Sequence, residues 1–143
     1  MAKITLETGV KTYDIEDEKG SLLGTISIHP NDLNIGKRAY DGGNKIQELI
    51  DSMAEVSEGD STEDTINKID SVDKAIKEQL DYIFDAPVSE TIFKNLNCLS
   101  VSNGKYLVEN FLDMMLPVIN QSLDEGIKGA EERVKKYTSQ VTE

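Results

Sequence analysis

INKIDSVDKAIKEQLDYIF, residues 66–84, is the stretch that decides the fold. Its apolar residues recur at intervals of three and four, which places their side chains on one face of an α-helix. Acids and lysines fill most other positions, so the segment predicts an amphipathic helix with one face buried. The helix should end before Pro87, because proline disfavours helical backbone at the residue before it. The apolar stripe consists of Ile66, Ile69, Val72, Ile76, Leu80, Ile83 and Phe84.

A second predicted helix covers residues 106–123 and is apolar around most of its circumference. We therefore expect it to be the central helix of the core. Pro117 removes one backbone hydrogen bond and should bend this helix, unless the helix ends before it. The tail, residues 124–143, is mostly charged and is expected to be flexible or to form a helix that needs a partner.

The region before the amphipathic segment also has helical spacing, but it contains two adjacent glycines. Residues 32–57 therefore predict either one helix bent at Gly42-Gly43 or two helices. Asp60, with Glu63 three residues later, resembles the capping pair of a helix N-terminus. The next helix should begin at that point.

Between the two apolar helices the sequence predicts a short helical turn and a loop. Residues 89–96 place Ile92, Phe93 and Leu96 at helical spacing. Residues 97–104 are predicted to form a loop, with a turn at the Asn-Gly pair that closes it.

The N-terminal residues alternate between apolar and polar side chains, which is typical of β-strands. Turn signals at Thr8-Gly9 and at residues 17–21 predict a hairpin or a three-stranded meander. The expected fold class is α+β. A β segment at 1–30 packs on a mainly α-helical bundle at 31–123 within one domain, and the tail at 124–143 follows.

Composition excludes several classes of function. The chain has 143 residues, of which 27 are acidic and 15 basic, for a formal net charge of −12. Nucleic-acid binding draws on clustered Lys and Arg, so we expect no nucleic-acid partner. The longest apolar run, residues 111–119, is far below the roughly 20 residues that span a bilayer, so no membrane association is expected. The single Cys98 cannot form an internal disulfide, which favours a soluble protein of a reducing compartment.

The sequence offers no convincing catalytic, cofactor or metal constellation. It contains one histidine, His29, and one cysteine, Cys98, in separate predicted segments. The glycines at 42–43 lack the remaining glycines and the Lys-Ser/Thr ending of a phosphate-binding loop. The acids lack the order of a calcium loop, so they predict a solvated surface. We therefore expect no enzyme activity, no cofactor and no metal site.

Among the classes of function, this leaves a surface that binds another protein. Methionine packs adaptably, which suits a binding groove as well as an ordinary core. The candidate partner-binding residues are Met53, Phe93, Phe111, Met114 and Met115.

The order of these parts resembles the tail assembly chaperones and related tail proteins of siphophages and myophages of Gram-positive hosts, a family of small phage and prophage proteins. The similarity covers roughly residues 10–123. The segments that carry it are KTYDI at 11–15, IHPNDL at 28–33 leading to Lys37-Arg38, IFD at 83–85, Ile92-Phe93 and Phe111-Leu112.

The resemblance implies a non-enzymatic chaperone in the cytoplasm of the bacterial host cell. Its implied partners are the tape measure protein, which it would keep soluble, and the tail tube subunit, which it would help to recruit. A homo-oligomer is left open. An apolar groove within a charged exterior would suit such a client.

Three alternatives stay open at this stage. The protein could be a structural component of the tail or connector that is retained in the virion. It could be a metal-dependent hydrolase that uses acids such as Asp14, Asp17 or Asp60. It could also be an acidic inhibitor that mimics nucleic acid, which requires charges spaced like phosphates on one face.

Overall fold

The structure, a computed structural model, describes residues 1–55, 59 and 61–142, with side chains described through residue 125 and at positions 127 and 132. It is an α+β protein in which an antiparallel β-hairpin precedes mostly helical segments. The expected fold class is therefore confirmed.

Strands β1 (Lys11–Glu16) and β2 (Leu22–Ile28) form the hairpin. The Asp17 carboxylate closes its turn by accepting hydrogen bonds from the backbone amides of Lys19 at 2.9 Å and Ser21 at 3.0 Å. Gly20 adopts the positive φ of 79° that glycine tolerates best. Of the two predicted alternatives the hairpin is correct, because residues 1–10 form no strand.

The two faces of the hairpin differ in character. Tyr13 lies opposite Ile26 on the face that meets the helices, where Ile26 is buried. On the other face the Thr12 and Ser27 hydroxyls lie 2.9 Å apart. The alternation of the sequence thus gives one apolar and one solvated face.

Helix α1 (Asn34–Ser52) runs without interruption through Gly42-Gly43 and is followed by a 3-10 turn at Met53–Glu55. Of the two alternatives left open for residues 32–57, a single helix through the glycines is the one found. Gly42 is instead a packing position, since a Cβ there would lie 2.5 Å from Cγ1 of Ile83. The glycine allows α1 to approach the next helix closely.

Helix α2 (Thr62–Phe84) ends before Pro87, as predicted. Its N-terminal cap is Ser61, whose hydroxyl accepts a hydrogen bond from the Asp64 amide at 3.1 Å. Asp60, the cap expected from sequence, lies outside the described residues.

The apolar stripe of α2 enters the core later than the sequence indicates. Ile66 is 59% exposed, and the fully buried positions begin at Val72. The exposed first turns of α2 thus contribute little to the core. Periodicity identifies the face of a helix but cannot tell how far its neighbours reach.

Helix α3 (Val88–Phe93) is the predicted short turn, and it buries Ile92 and Phe93. The predicted loop after it contains a small hairpin of β3 (Val101–Ser102) and β4 (Lys105–Tyr106). Asn103 and Gly104, with φ values of 56° and 77°, form its turn. Asn-Gly is the sequence that such a two-residue turn favours.

Helix α4 (Leu107–Thr142) contains Pro117 and continues through the predicted tail, so the tail is helical. The expectation that α4 is the central helix is wrong. It buries one stripe, while Met114 and Leu116 stay 41% and 38% exposed. Helix α2 takes the central place, because both α1 and α3 pack on it. The buried stripe of α4 consists of Val108, Phe111, Met115 and Ile119.

Gly42 gives a matched test of the α1–α2 contact. We expect Gly42→Ala to lower the free energy of unfolding by about 1–3 kcal/mol, because the new methyl overpacks against Ile83. Gly43→Ala is the control, since a Cβ at that position meets nothing within 4 Å. It should stabilise the helix by up to about 1 kcal/mol. Urea unfolding of both variants measures the difference, and equal effects would contradict the close approach.

Candidate partner-binding site

A groove of about 330 Å³ lies between the hairpin, α3 and the start of α4. We call it the α3–α4 groove. Its walls are mostly apolar, and it opens to solvent beside the turn of the hairpin. The apolar lining consists of Ile15, Leu23, Ile92, Phe93, Leu96, Leu107, Phe111 and Met114.

Three aromatic rings pack together at and beneath the base of this groove. The Phe111 ring meets the rings of Phe84 and Phe93 edge to face, with centroids 5.5 Å and 5.9 Å apart. This is the favoured geometry of aromatic pairs, which adds to the stabilisation from burial. The three residues come from α4, α2 and α3, so the base of the groove depends on the packing of all three helices.

The rim of the groove is acidic on the hairpin side. Glu16, Asp17 and Glu18 line it there. Glu16 and Glu18 are exposed, whereas Asp17 is engaged in the turn. An apolar base beside an acidic rim suits a ligand that combines an apolar face with basic side chains.

Asp73 on α2 is hydrogen-bonded to the segment between α3 and α4, which positions the start of α4 beside the groove. Its carboxylate accepts a hydrogen bond from the Cys98 amide at 2.8 Å and one from the Lys77 ammonium at 2.9 Å. Lys77 also donates to the Leu96 carbonyl at 3.0 Å. Asp73 is 7% exposed, so these bonds compensate for burying its charge.

Burial alone would raise the pKa of Asp73. The hydrogen bonds from the Cys98 amide and the Lys77 ammonium outweigh that effect, and the pKa lies below its ordinary value of 3.8. The carboxylate is therefore charged at neutral pH.

The start of α4 is fixed to the same segment. The amide of Val108 donates to the Cys98 carbonyl at 3.0 Å, and the Leu107 amide donates to the Ser100 carbonyl at 2.9 Å. Asp73 thus positions the first turn of α4 through the backbone at Cys98. That turn carries Leu107 into the groove.

Asp81 on α2 fixes the start of α3, which forms part of the groove wall. Its carboxylate accepts hydrogen bonds from the Ser89 amide at 2.8 Å and the Ser89 hydroxyl at 3.0 Å. Both bonds satisfy groups in the first turn of α3. Helix α2 therefore holds α3 at its beginning through Asp81 and holds the segment after it through Asp73.

The structure brings together three of the five residues expected to bind a partner. Phe93, Phe111 and Met114 line the α3–α4 groove. Met115 is 3% exposed and lies in the core. Met53 lines a separate hollow of about 310 Å³ with Ile69, Leu99 and Tyr106.

The contribution of the hairpin to the groove was not predicted from the sequence. Ile15 and Leu23 carry only the alternating pattern of a strand, which does not say what a strand packs against. The acids at 16–18 were visible as a charged turn. Their position beside an apolar base depends on long-range packing.

Several residues considered for catalysis are buried or hydrogen-bonded to neighbouring side chains. Burial raises the pKa of the Cys98 thiol to about 12, and the adjacent Asp73 carboxylate adds to the effect. Such a thiol is a poor nucleophile. His29 Nε2 lies 2.9 Å from the Thr8 hydroxyl, and Asp14 accepts a hydrogen bond from the Thr25 hydroxyl at 2.7 Å.

Across the described residues, no three His, Cys, Asp or Glu side chains gather as a set that could hold a metal ion. Asp60, one of the acids considered for a hydrolase, lies outside that part of the chain. In the same part, no helix has both the length and the apolar character that crossing a bilayer requires.

A scan against protein-family models and searches of curated proteins and of solved structures found no match to this chain. Its function must therefore be argued from the groove and its surroundings.

Asp73 gives a test of the positioning network. Asp73→Asn keeps an oxygen for the Cys98 amide but loses the charge that pairs with Lys77, so we expect a loss of about 1–3 kcal/mol in the free energy of unfolding. Asp70→Asn is the control. Asp70 pairs with Lys74 at 2.8 Å on the exposed side of α2, and its loss should change stability little.

The same variants test the pH dependence. Because folding lowers the pKa of Asp73, its contribution is complete above the unfolded pKa and is lost as pH falls through the folded value. The stability difference between wild type and Asp73→Asn should be largest near neutral pH and shrink as the pH falls below the ordinary carboxyl pKa of 3.8. Chemical unfolding across this range measures it, and a constant difference would contradict the assigned charge.

Proposed function

We propose that this protein is a non-catalytic tail assembly chaperone of a phage or prophage, which binds an apolar helical segment of the tape measure protein in the α3–α4 groove. The observation that carries the proposal is the groove itself, with Phe93, Phe111 and Met114 on one apolar surface beside an acidic rim. Grooves of this kind accept the apolar face of an amphipathic helix.

The chemistry of the groove defines the client segment. The apolar face of the client helix would contact Met114, Phe93 and Leu96. Lysines or arginines of the client beside that face would meet Glu16 and Glu18. The remaining surface supports the same role. A net charge of −12 keeps the protein soluble and limits self-adhesion while an apolar client is held.

A structural component of the tail or connector is the second candidate. The exposed apolar side chains of residues 1–10 favour it, because a subunit in a polymer needs such a contact surface. The two roles differ in whether the protein remains in the finished virion. Mass spectrometry of purified virions should find the structural component and should not find a chaperone.

Co-expression with a tape measure protein is the direct test of the chaperone role. We expect an increase in soluble tape measure protein and a complex on gel filtration. No gain in solubility and no complex would reject the proposal. Recruitment of the tail tube subunit is tested by adding that subunit to the purified complex.

Met114→Glu tests the groove as the binding surface. It places a carboxylate on an apolar wall that the client must cover, and we expect client affinity to fall about tenfold or more. Leu116→Glu is the matched control, since Leu116 is 38% exposed on α4 against 41% for Met114 and does not line the groove. Both variants should fold with nearly unchanged stability.

Calorimetric titration with a synthetic client helix measures the affinities. If both glutamates weaken binding equally, the α3–α4 groove is not the site. The role of the acidic rim is read from the salt dependence of the same titration. Affinity should fall as ionic strength rises, because partly exposed charge pairs are screened by salt.

A further inference from the structure

The first ten residues form an arm with a strand pattern and no strand partner. Ile4 and Leu6 alternate with polar residues, as strand residues do, yet they are 99% and 81% exposed. Residues 1–10 pair with no other element in the part of the chain that the structure describes. The alternating apolar and polar residues of the arm therefore have no strand to pair with among the described residues of one molecule.

The hairpin has one open edge. Within the described ranges β1 is hydrogen-bonded to β2 alone, in a sheet of two strands. Beside β2 a hollow is lined by Thr25, Ile26 and Ser27 together with Pro87, Val88 and Thr91, so the start of α3 lies along that strand. The outer edge of β1 thus presents backbone amides and carbonyls without ladder partners, which is a template for another strand.

The arm does not fold back along this edge in its own copy. The Thr8 hydroxyl lies 2.9 Å from Nε2 of His29, which follows β2 directly. This contact carries the arm past the end of the hairpin. The arm is therefore available to a second molecule.

We propose that two copies pair antiparallel through residues 3–16, so that the arm of each lies on the β1 edge of the other. In one register Ile4 lies opposite Ile15, and Leu6 lies opposite Tyr13. In a regular strand Ile4 and Ile15 of one chain would lie on opposite faces, because they are an odd number of residues apart. Gly9, with a φ of 84°, interrupts the alternation between the arm and β1, so both arm residues can join the hairpin face on which Ile15 is 9% exposed. The pairing is two-fold symmetric, which is the commonest arrangement of homodimers.

Charge supports the same register. Lys3 comes to lie opposite Glu16, and Thr5 lies opposite Asp14 on the polar face of the hairpin. Opposite charges across an antiparallel pair are stabilising. A shift by one residue would move Ile4 and Leu6 to the polar face, so this register is distinguished from its neighbours. The proposal concerns a second copy of this chain and does not depend on the identity of any client.

A mixed disulfide experiment tests the pairing. Chains with Thr5→Cys and a size tag are mixed with untagged chains that carry Asp14→Cys, so that only contact between molecules can join the two. We expect a mixed dimer on a non-reducing gel after mild oxidation. Cys98 is fully buried and does not compete.

The matched control replaces Asp14→Cys by Thr25→Cys. Thr25 is the cross-strand neighbour of Asp14, and either change removes the hydrogen bond between them. Thr25 lies one strand further from the arm, at about twice the strand spacing of 4.8 Å, which exceeds the reach of a disulfide. Equal cross-linking of both pairs, or none with Asp14→Cys, would overturn the proposal.

A charge swap keeps the test independent of cysteine variants. Light scattering of the unaltered protein should give twice the chain mass of 15.9 kDa. Lys3→Glu should weaken the dimer about two- to fivefold in dissociation constant, and adding Glu16→Lys should restore it. A monomer at all concentrations, or no rescue by the swap, would overturn the pairing.

Discussion

The buried carboxylate of Asp73 is the interaction on which the rest of the structure depends. Asp73 lies on α2, and its carboxylate accepts a hydrogen bond from the Cys98 amide. The Cys98 carbonyl accepts a hydrogen bond from the Val108 amide in the first turn of α4. One side chain thus connects the central helix to the segment between α3 and α4. A carboxylate with two charge-assisted or backbone donors is well satisfied, whereas one without them would strongly oppose folding.

The aromatic cluster follows from that connection. Phe111 lies one turn into α4 and reaches Phe84 and Phe93 only if the start of α4 is correctly placed. The groove therefore combines a polar constraint at its end with an apolar base. Hydrogen bonds and aromatic packing together therefore position the apolar surface of the groove.

The sequence predicted the elements better than it predicted their neighbours. The end of α2 before Pro87 and the Asn103-Gly104 turn depend on local chemistry, and both predictions are confirmed. The N-terminal strands were also predicted, as a hairpin or a meander. The course of α1 through Gly42 was left open, because it depends on the approach of Ile83 from a distant segment. The site shows the same limit. The candidate residues of α3 and α4 were named from their side chains, but the hairpin wall and the burial of Met115 follow from tertiary packing.

The burial of Cys98 makes it a built-in reporter of motion. The thiol is fully buried and its pKa is raised to about 12, so a thiol reagent can modify it only when the contact between α2 and the start of α4 opens. The rate of modification would measure the free energy of that opening without any introduced probe. Cys98 therefore records how often the contact between α2 and the start of α4 opens.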